Sequence, residues 1–387
     1  MEKVVYLDNN ATTRVAPEVF EEMKPFLTDL YGNPSSIHTF GGGVRKYIDK
    51  AREQVGELLA AEPGEIIFTG SGSESDNTAI MSALELAGAE KKHVIITQVE
   101  HEAVLEVGHY LRSKGYRVTE LPVDRKGALD IDLLADSIKD DTAVVSVMWA
   151  NNETGVVFPI ERIAEIVKSK GAYFHTDAVQ AVGKIPIDLS KVPVDFLALS
   201  GHKLHTPKGV GVLFVRKGIK MPPYIRGGHQ ENGMRAGTEN VAGVVGLGKA
   251  AGIAAERMSG DAAHEQTLRD KLETGLLVRC RDSLVNGADR LPNTLNISFE
   301  FVEGESILLL LDDLGICASS GSACTSGSLE PSHVLRAMGV PHSLAHGSIR
   351  FSLSRYTTEE EIDYVLEHMP AIIERLREIS PFTPQTA

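Results

Sequence analysis

The sequence predicts an α/β fold: a large domain built on a mostly parallel sheet, followed by a smaller α+β domain. Two observations carry this. Between Glu65 and Val215, short β-branched runs alternate with longer helical stretches, the pattern of strand–crossover–strand units whose strands lie parallel. After Gly260 the texture changes to a long helix, isolated strands and a charged terminal helix. EIIF (Glu65–Phe68), HVIIT (His93–Thr97), AVVSVM (Ala143–Met148), YFHTD (Tyr173–Asp177), DFLALS (Asp195–Ser200) and VGVLFV (Val210–Val215) read as strands. They are nearly continuous apolar runs, as strands covered on both faces require. Helices are predicted over 74–86, 103–114, 130–138 and 159–169; in the second, Ala103, Val104, Val107, Tyr110 and Leu111 fall on one face.

The later part predicts a helix over 263–278, a strand at 294–299, a leucine-rich helix at 306–312, a Ser/Gly loop, a strand at 348–352 and a helix over 358–379. The large domain is assigned to 15–260. Residues 1–14 and 261–387 form the small one, ending in the frayed tail SPFTPQTA.

Composition narrows the function. With 387 residues, 42% hydrophobic and 24% charged, the chain is an ordinary globular protein. Its net charge of −14 argues against a nucleic-acid or anionic-membrane partner. The three cysteines, Cys280, Cys317 and Cys324, show no CxxC spacing and are too few for a disulfide scaffold. MEKVVYLDNNATT has no basic segment followed by an apolar one, and no apolar run reaches the ~18 residues of a membrane span. The expectation is a cytoplasmic enzyme.

Ligands of open parallel sheets sit at the carboxyl ends of the strands. TGSGSES (Thr69–Ser75) follows a strand and opens a helix, where small residues let backbone amides approach an anion. Its commoner use is a simple cap, and it lacks the last glycine of a dinucleotide fingerprint. GVVGLGKA (Gly243–Ala250) nearly fits a nucleotide-binding P-loop, but ends in Ala where a hydroxyl must hold magnesium, and no strand leads into it. Both nucleotide readings are discarded. FHTDAVQA places Asp177 at a strand end with Gln180 three residues on. The plain reading is a helix cap; the functional one is a carboxylate held for a cationic nitrogen. LALSGHKLHTPKGVG sets Ser200, His202 and Lys203 directly after another strand. Most such lysines are solvated, but an apolar setting lowers the pKa of an amine and readies it for Schiff-base chemistry. Pyridoxal phosphate needs a lysine for its aldehyde, a carboxylate for its pyridine nitrogen and a phosphate cup. The order cup, Asp177, Lys203 supplies all three.

From YLDNNATT (Tyr6–Thr13) to RFSLSRYTTEEEID (Arg350–Asp363), the chain resembles the cysteine desulfurases of the NifS/IscS group. These belong to the class V aminotransferase-like family of fold-type I pyridoxal enzymes. GNPSSIH, VEHEAV, FHTDAVQAVGKIP, SGHKLHTPKGVG, MRAGTEN and SSGSACTSGSLEPSHVL carry the likeness; VSVMWANNETG and SGSACTSGSLEPS resemble the nitrogen-fixation type. The resemblance implies a seven-stranded-type sheet and Lys203 as the Schiff-base lysine, with Asp177 on the pyridine nitrogen. It implies His101 stacked on the ring and moving protons, and Gln180 bonded to the ring hydroxyl. Gly72, Ser73, Ser200, Gly201 and His202 would hold the phosphate. Thr238 would reach the phosphate of a neighbouring subunit, which implies a homodimer. Asn152 and Arg350 would hold the substrate carboxylate, with Asn152 also beside the cofactor. Ser73 stands where the family commonly has Thr, and the hydroxyl survives.

The implied activity converts L-cysteine to L-alanine and leaves sulfur on Cys324 for an iron–sulfur scaffold protein, in nitrogenase maturation. The Cys324 thiolate is also expected to ligate an iron–sulfur cluster shared with that scaffold. Cys324 lies in ASSGSACTSGSLEPS (Ala318–Ser332), too small and polar to pack and Gly-rich. A mobile loop over about 319–330 therefore suits a nucleophile that visits two places, since six extended residues span at most roughly 20 Å. The rivals are a selenocysteine lyase, a class V aminotransferase, and a partner-docking scaffold without turnover. His38, His109, His175 and His205 are read as structural or unassigned.

Overall fold

A computed structural model describes residues 4–320 and 331–380. The central sheet has seven strands, in spatial order Ile66–Thr69, Gly211–Val215, Phe196–Ser200, Tyr173–Asp177, Thr142–Ser146, His93–Thr97 and Arg117–Leu121. Gly211–Val215 is antiparallel to both neighbours; the other pairs are parallel. All six predicted strands form, with ends shifted by two residues at most. Arg117–Leu121 is the strand that sequence patterning passes over. It lies at the sheet edge, and of RVTEL only Leu121 is buried, so no apolar run marks it. Polar residues on an edge strand also discourage pairing with other chains.

Alternate side chains of the central strands feed two apolar layers. Phe68, Ile95, Val145, Phe174 and Leu197 face one core with helices Arg45–Leu59 and Ile160–Ser169; Ile67, Val94, Ile96, Val144 and Phe196 face the other with helices Gly72–Ala87 and Glu102–Ser113. Each fully buried Val, Ile or Phe contributes roughly 1.5–3 kcal/mol, which is why both faces must be covered.

The helix predicted over 263–278 is much longer, Val241–Arg279. Ala242–Ala254 packs in the core of the large sheet, while Leu268, Leu272 and Leu276 pack with Leu295, Phe299 and Ile362 in a second core. The helix thus runs through both, and residue 260 lies within it. Its glycine-rich start explains the nucleotide-like pattern Gly243–Ala250: a Cβ on Gly248 would stand 2.5 Å from the Cα of Ala51. Those glycines let two helices touch.

The second core lies on an antiparallel sheet, Ser348–Ser352, Thr294–Phe299 and Ser283–Val285. Glu359–Ile379 covers it, opened by a capping box between Thr358 and Glu361. Near the amino end, Val5–Tyr6 pairs with Ile316–Cys317, and Asp8 bridges to Ser352. That pairing carries residues 8–13 to the mouth of the large sheet. No helix among the described residues is long and apolar enough to cross a membrane.

Candidate active site

The segments that follow five of the parallel strands line one cavity of about 410 Å³, together with Asn10, Ala11, Ser319, Ser320 and Arg350. Of the predicted site residues, Gly72, Ser73, His101, Asn152, Asp177, Gln180, Ser200, His202, Lys203 and Arg350 line it. Gly201 is buried in the turn Gly201–Lys203 behind it, where a Cβ would strike the Thr206 hydroxyl; it shapes the turn that presents His202 and Lys203. Thr238 is exposed and not among the lining residues. Cys324 lies outside the described residues.

Lys203 donates its amine to the Asn10 carbonyl and, at 2.7 Å, to that of Ala11. Asp177, 5% exposed, accepts the Val179 N–H at 2.9 Å. Two further acids crowd beneath it. Asp76 is fully buried, its Oδ1 3.4 Å from His175 Nε2, while His175 Nδ1 meets the Ser146 hydroxyl at 2.8 Å. Glu100 accepts the Thr97 hydroxyl at 2.7 Å and the Met148 N–H at 3.0 Å. Burial pushes Glu100 up to about 8. Burial, followed by the charges of Asp177 and Glu100, holds Asp76 far above the carboxylate range. Burial raises Asp177 too, and the neighbouring His101, the Val179 N–H and Lys203 oppose that rise. Of the three, Asp177 is the acid with cationic neighbours to oppose the effect of burial, and it lines the cavity.

At the helix start, Ser71 caps Gly72–Ala87 by accepting the Glu74 N–H at 3.1 Å, and the first-turn amides have no partner within a helix. A Cβ on Gly72 would come within 2.9 Å of Val179 and 3.3 Å of Ser200, so only glycine fits. Glu74 would repel an anion here, but Arg235 pairs with it at 2.9 Å. His202 is held neutral, its pKa lowered to about 4 by burial and by Lys203 and Lys208. His101 caps the helix Glu102–Ser113, its Nδ1 accepting the Ala103 N–H at 3.1 Å. In the neutral ring Nε2 thus carries the proton.

Arg350 reaches the cavity from the second sheet. Its guanidinium donates to Asp8 at 2.7 Å and to the Asn152 carbonyl at 3.1 Å, and its Nε is buried without a partner among the described residues. Its backbone pairs with Ser319. Asn10, missed from sequence, is the hub of the site. Its carbonyl accepts from Gln180 and Lys203, and its side chain bonds the Asn152 carbonyl, Thr294 and Asn293. Its place inside the matched YLDNNATT motif was the available signal. Asp76 and Glu153 line the cavity as well; Glu153 lies inside the matched VSVMWANNETG, while Asp76 directly follows TGSGSES and carried no signal of its own.

The donor set fits pyridoxal phosphate: one amine, one buried carboxyl, a side-chain amide and a glycine-bounded helix start. Arg350→Ala should raise the KM for cysteine by roughly 10- to 100-fold, the worth of a charge-assisted hydrogen bond of about 1.5–3 kcal/mol, with a smaller fall in kcat. Steady-state kinetics checks this; an unchanged KM counts against the carboxylate role.

The aminotransferase class-V family model matches residues 5–365. A cysteine desulfurase of Trichormus azollae is 60% identical over 381 residues, 98% of this chain and 95% of the relative. Cysteine desulfurase NifS of Azotobacter vinelandii is 58% identical over 381 residues, 98% of this chain and 94% of the relative. The solved structure of a NifS-like protein superposes with a TM-score of 0.91 at 42% identity, covering 97% of this chain and all of that one. The chain belongs to the class-V aminotransferases, within their cysteine desulfurase branch.

Proposed function

We propose that the protein is a pyridoxal phosphate–dependent cysteine desulfurase that converts L-cysteine to L-alanine and carries the sulfur as a persulfide on Cys324. The acceptor is an iron–sulfur scaffold protein, and the pathway is nitrogenase maturation. The observation that carries this reading is the cavity itself, where Lys203 and the buried Asp177 share walls with Arg350 and Asn152.

Lys203, Asp177, Gln180, Ser200, His202 and the Gly72–Ser73 turn would hold the cofactor. When bound, it supplies an aldehyde for the lysine amine and a ring that draws electrons from the substrate's α-carbon. Arg350 and Asn152 would fix the substrate carboxylate. Lys203 and His101 Nε2 move protons to and from the substrate. The Cys324 thiolate attacks the substrate sulfur: an S–S bond forms, the C–S bond breaks, and the carbon takes a proton to become the methyl of alanine. Ser319 and Ser320, on the cavity wall, lead toward Cys324 on one side. On the other, Ser332 donates to Glu153 at 2.5 Å, and Glu153 lines the same cavity. Both supports favour delivery of that cysteine to the site. The same thiolate is the candidate ligand for a cluster shared with the scaffold.

A homodimer belongs to this reading. Exposed Thr238, away from its own cavity, is assigned to the phosphate of a second copy. Exposed Tyr31, Ile37 and Phe40 supply apolar surface for the contact. The test is the product: purified enzyme given L-cysteine should yield alanine and protein-bound sulfur in equal amounts at first turnover. A keto acid instead of alanine would make it an aminotransferase; turnover confined to selenocysteine would make it a lyase. No product with either substrate would leave a docking scaffold.

A further inference from the structure

We infer that Lys184 is a positioning residue that fixes which end of the Gln180 side-chain amide faces the cavity. Gln180 is 4% exposed in the turn after Tyr173–Asp177. The two ends of an amide have nearly the same shape, so sterics alone do not choose between them. Here hydrogen bonding does. Lys184 Nζ donates to Gln180 Oε1 at 2.8 Å, while Gln180 Nε2 donates to the Asn10 carbonyl at 3.0 Å. An ammonium has no lone pair and a carbonyl has no proton, so the two partners dictate one orientation. Lys184 also donates to the Asn10 side-chain oxygen at 3.2 Å, which ties both neighbours of the amide to one cation. The outcome is an amide whose N–H end is turned to the cavity that Gln180 lines.

The inference rests on the proposed reading that Gln180 bonds the ring hydroxyl of the cofactor. On that reading the N–H end is the useful one. A donor on the ring oxygen draws off charge and weakens its hold on the proton it shares with the lysine-linked nitrogen. Without Lys184, Oε1 becomes a buried acceptor lacking its donor, and the Asn10 carbonyl alone is left to hold the amide, so the N–H end is less firmly aimed at the cofactor.

Lys184 faces Glu265 from the long helix, Lys203 from the turn after Phe196–Ser200 and Arg350 from the second sheet. Burial pulls Lys184 down to about 7 and pushes Glu265 up to about 7; their opposite charges resist both shifts, while Lys203 and Arg350 add to the first. Glu265 is thus the neighbour that favours the ammonium form of Lys184 against burial.

The test reads the visible absorption band of the cofactor-loaded enzyme against pH, without substrate. Lys184→Met should move the midpoint of that titration upward by about one pH unit, and Lys184→Arg should restore the wild-type midpoint. Gln180→Leu should shift it by a similar amount, and the double variant no further than Gln180→Leu alone, because Lys184 acts through Gln180. If Lys184→Met does not load cofactor, Lys184→Ala takes its place in the same comparison. An unmoved midpoint, or shifts that add in the double variant, would overturn the inference. Failure of the underlying reading is distinguishable: Gln180→Leu would then leave the midpoint unmoved, whereas failure of the inference alone leaves it unmoved only in Lys184→Met.

Discussion

Cys324→Ala should remain yellow with bound cofactor yet make almost no alanine from cysteine, a loss of roughly three orders of magnitude or more, as expected when a nucleophile is removed. Cys280→Ala and Cys317→Ala should stay active. The reason is where the other two thiols lie. Cys280 is 3% exposed at the end of the long helix, and burial pushes its thiol up to about 11. At neutral pH about one molecule in 10⁴ would hold the thiolate that attack requires. Cys317 sits in the short strand Ile316–Cys317, its thiol raised by burial and by the charges of Asp312 and Asp8. Neither lines the cavity. Mass spectrometry of cysteine-treated protein should place the added sulfur on Cys324; sulfur on Cys280 or Cys317 would refute the shuttle.

Asp177→Ala should lower kcat by roughly 10²- to 10³-fold, the usual loss when one preorganised electrostatic partner of a reacting group is removed. Cofactor should still bind through Lys203 and the helix start. The effect is large because charge in this pocket is not easily replaced. Asp76 and Glu100 lie nearby, but burial raises both, Glu100 to about 8, so neither readily takes over the charge. Once Asp177 is gone, Asp76 loses the carboxylate that repels it, yet it stays fully buried beside the neutral His175, whose pKa burial lowers to about 3. It gains no new cation. Near-normal turnover in Asp177→Ala would show that one of these deeper acids supplies the charge. Asp177→Asn separates the causes, since it keeps the size and the Val179 contact while losing only the charge.

The strands were legible because burial on both faces demands unbroken apolar runs, and VGVLFV or HVIIT admit no other economical reading. Arg117–Leu121 escaped because an edge strand needs no such run. The first part of the long helix was passed over because residues 242–248, rich in Gly and Val, are buried all round and carry no polar face. In the site, residues at strand ends declared themselves, since Asp177 and Lys203 break apolar sequence at the carboxyl edge of the sheet. Asn10, Lys184 and Asp76 did not. Their importance comes from partners distant in sequence: Asn10 with Gln180, Lys203 and Asn293, Asp76 with His175. A tertiary network leaves no local period or spacing by which to find it.

The central claim is that the amine at the end of Phe196–Ser200 carries the cofactor, in the cavity that Asp177 lines. Borohydride reduction of the purified yellow protein, followed by peptide mapping, tests it most directly. The account predicts a single modified peptide with the cofactor on Lys203, and loss of the modification in Lys203→Ala. Fixation on Lys184, the other amine near the site, or on any surface lysine would contradict it.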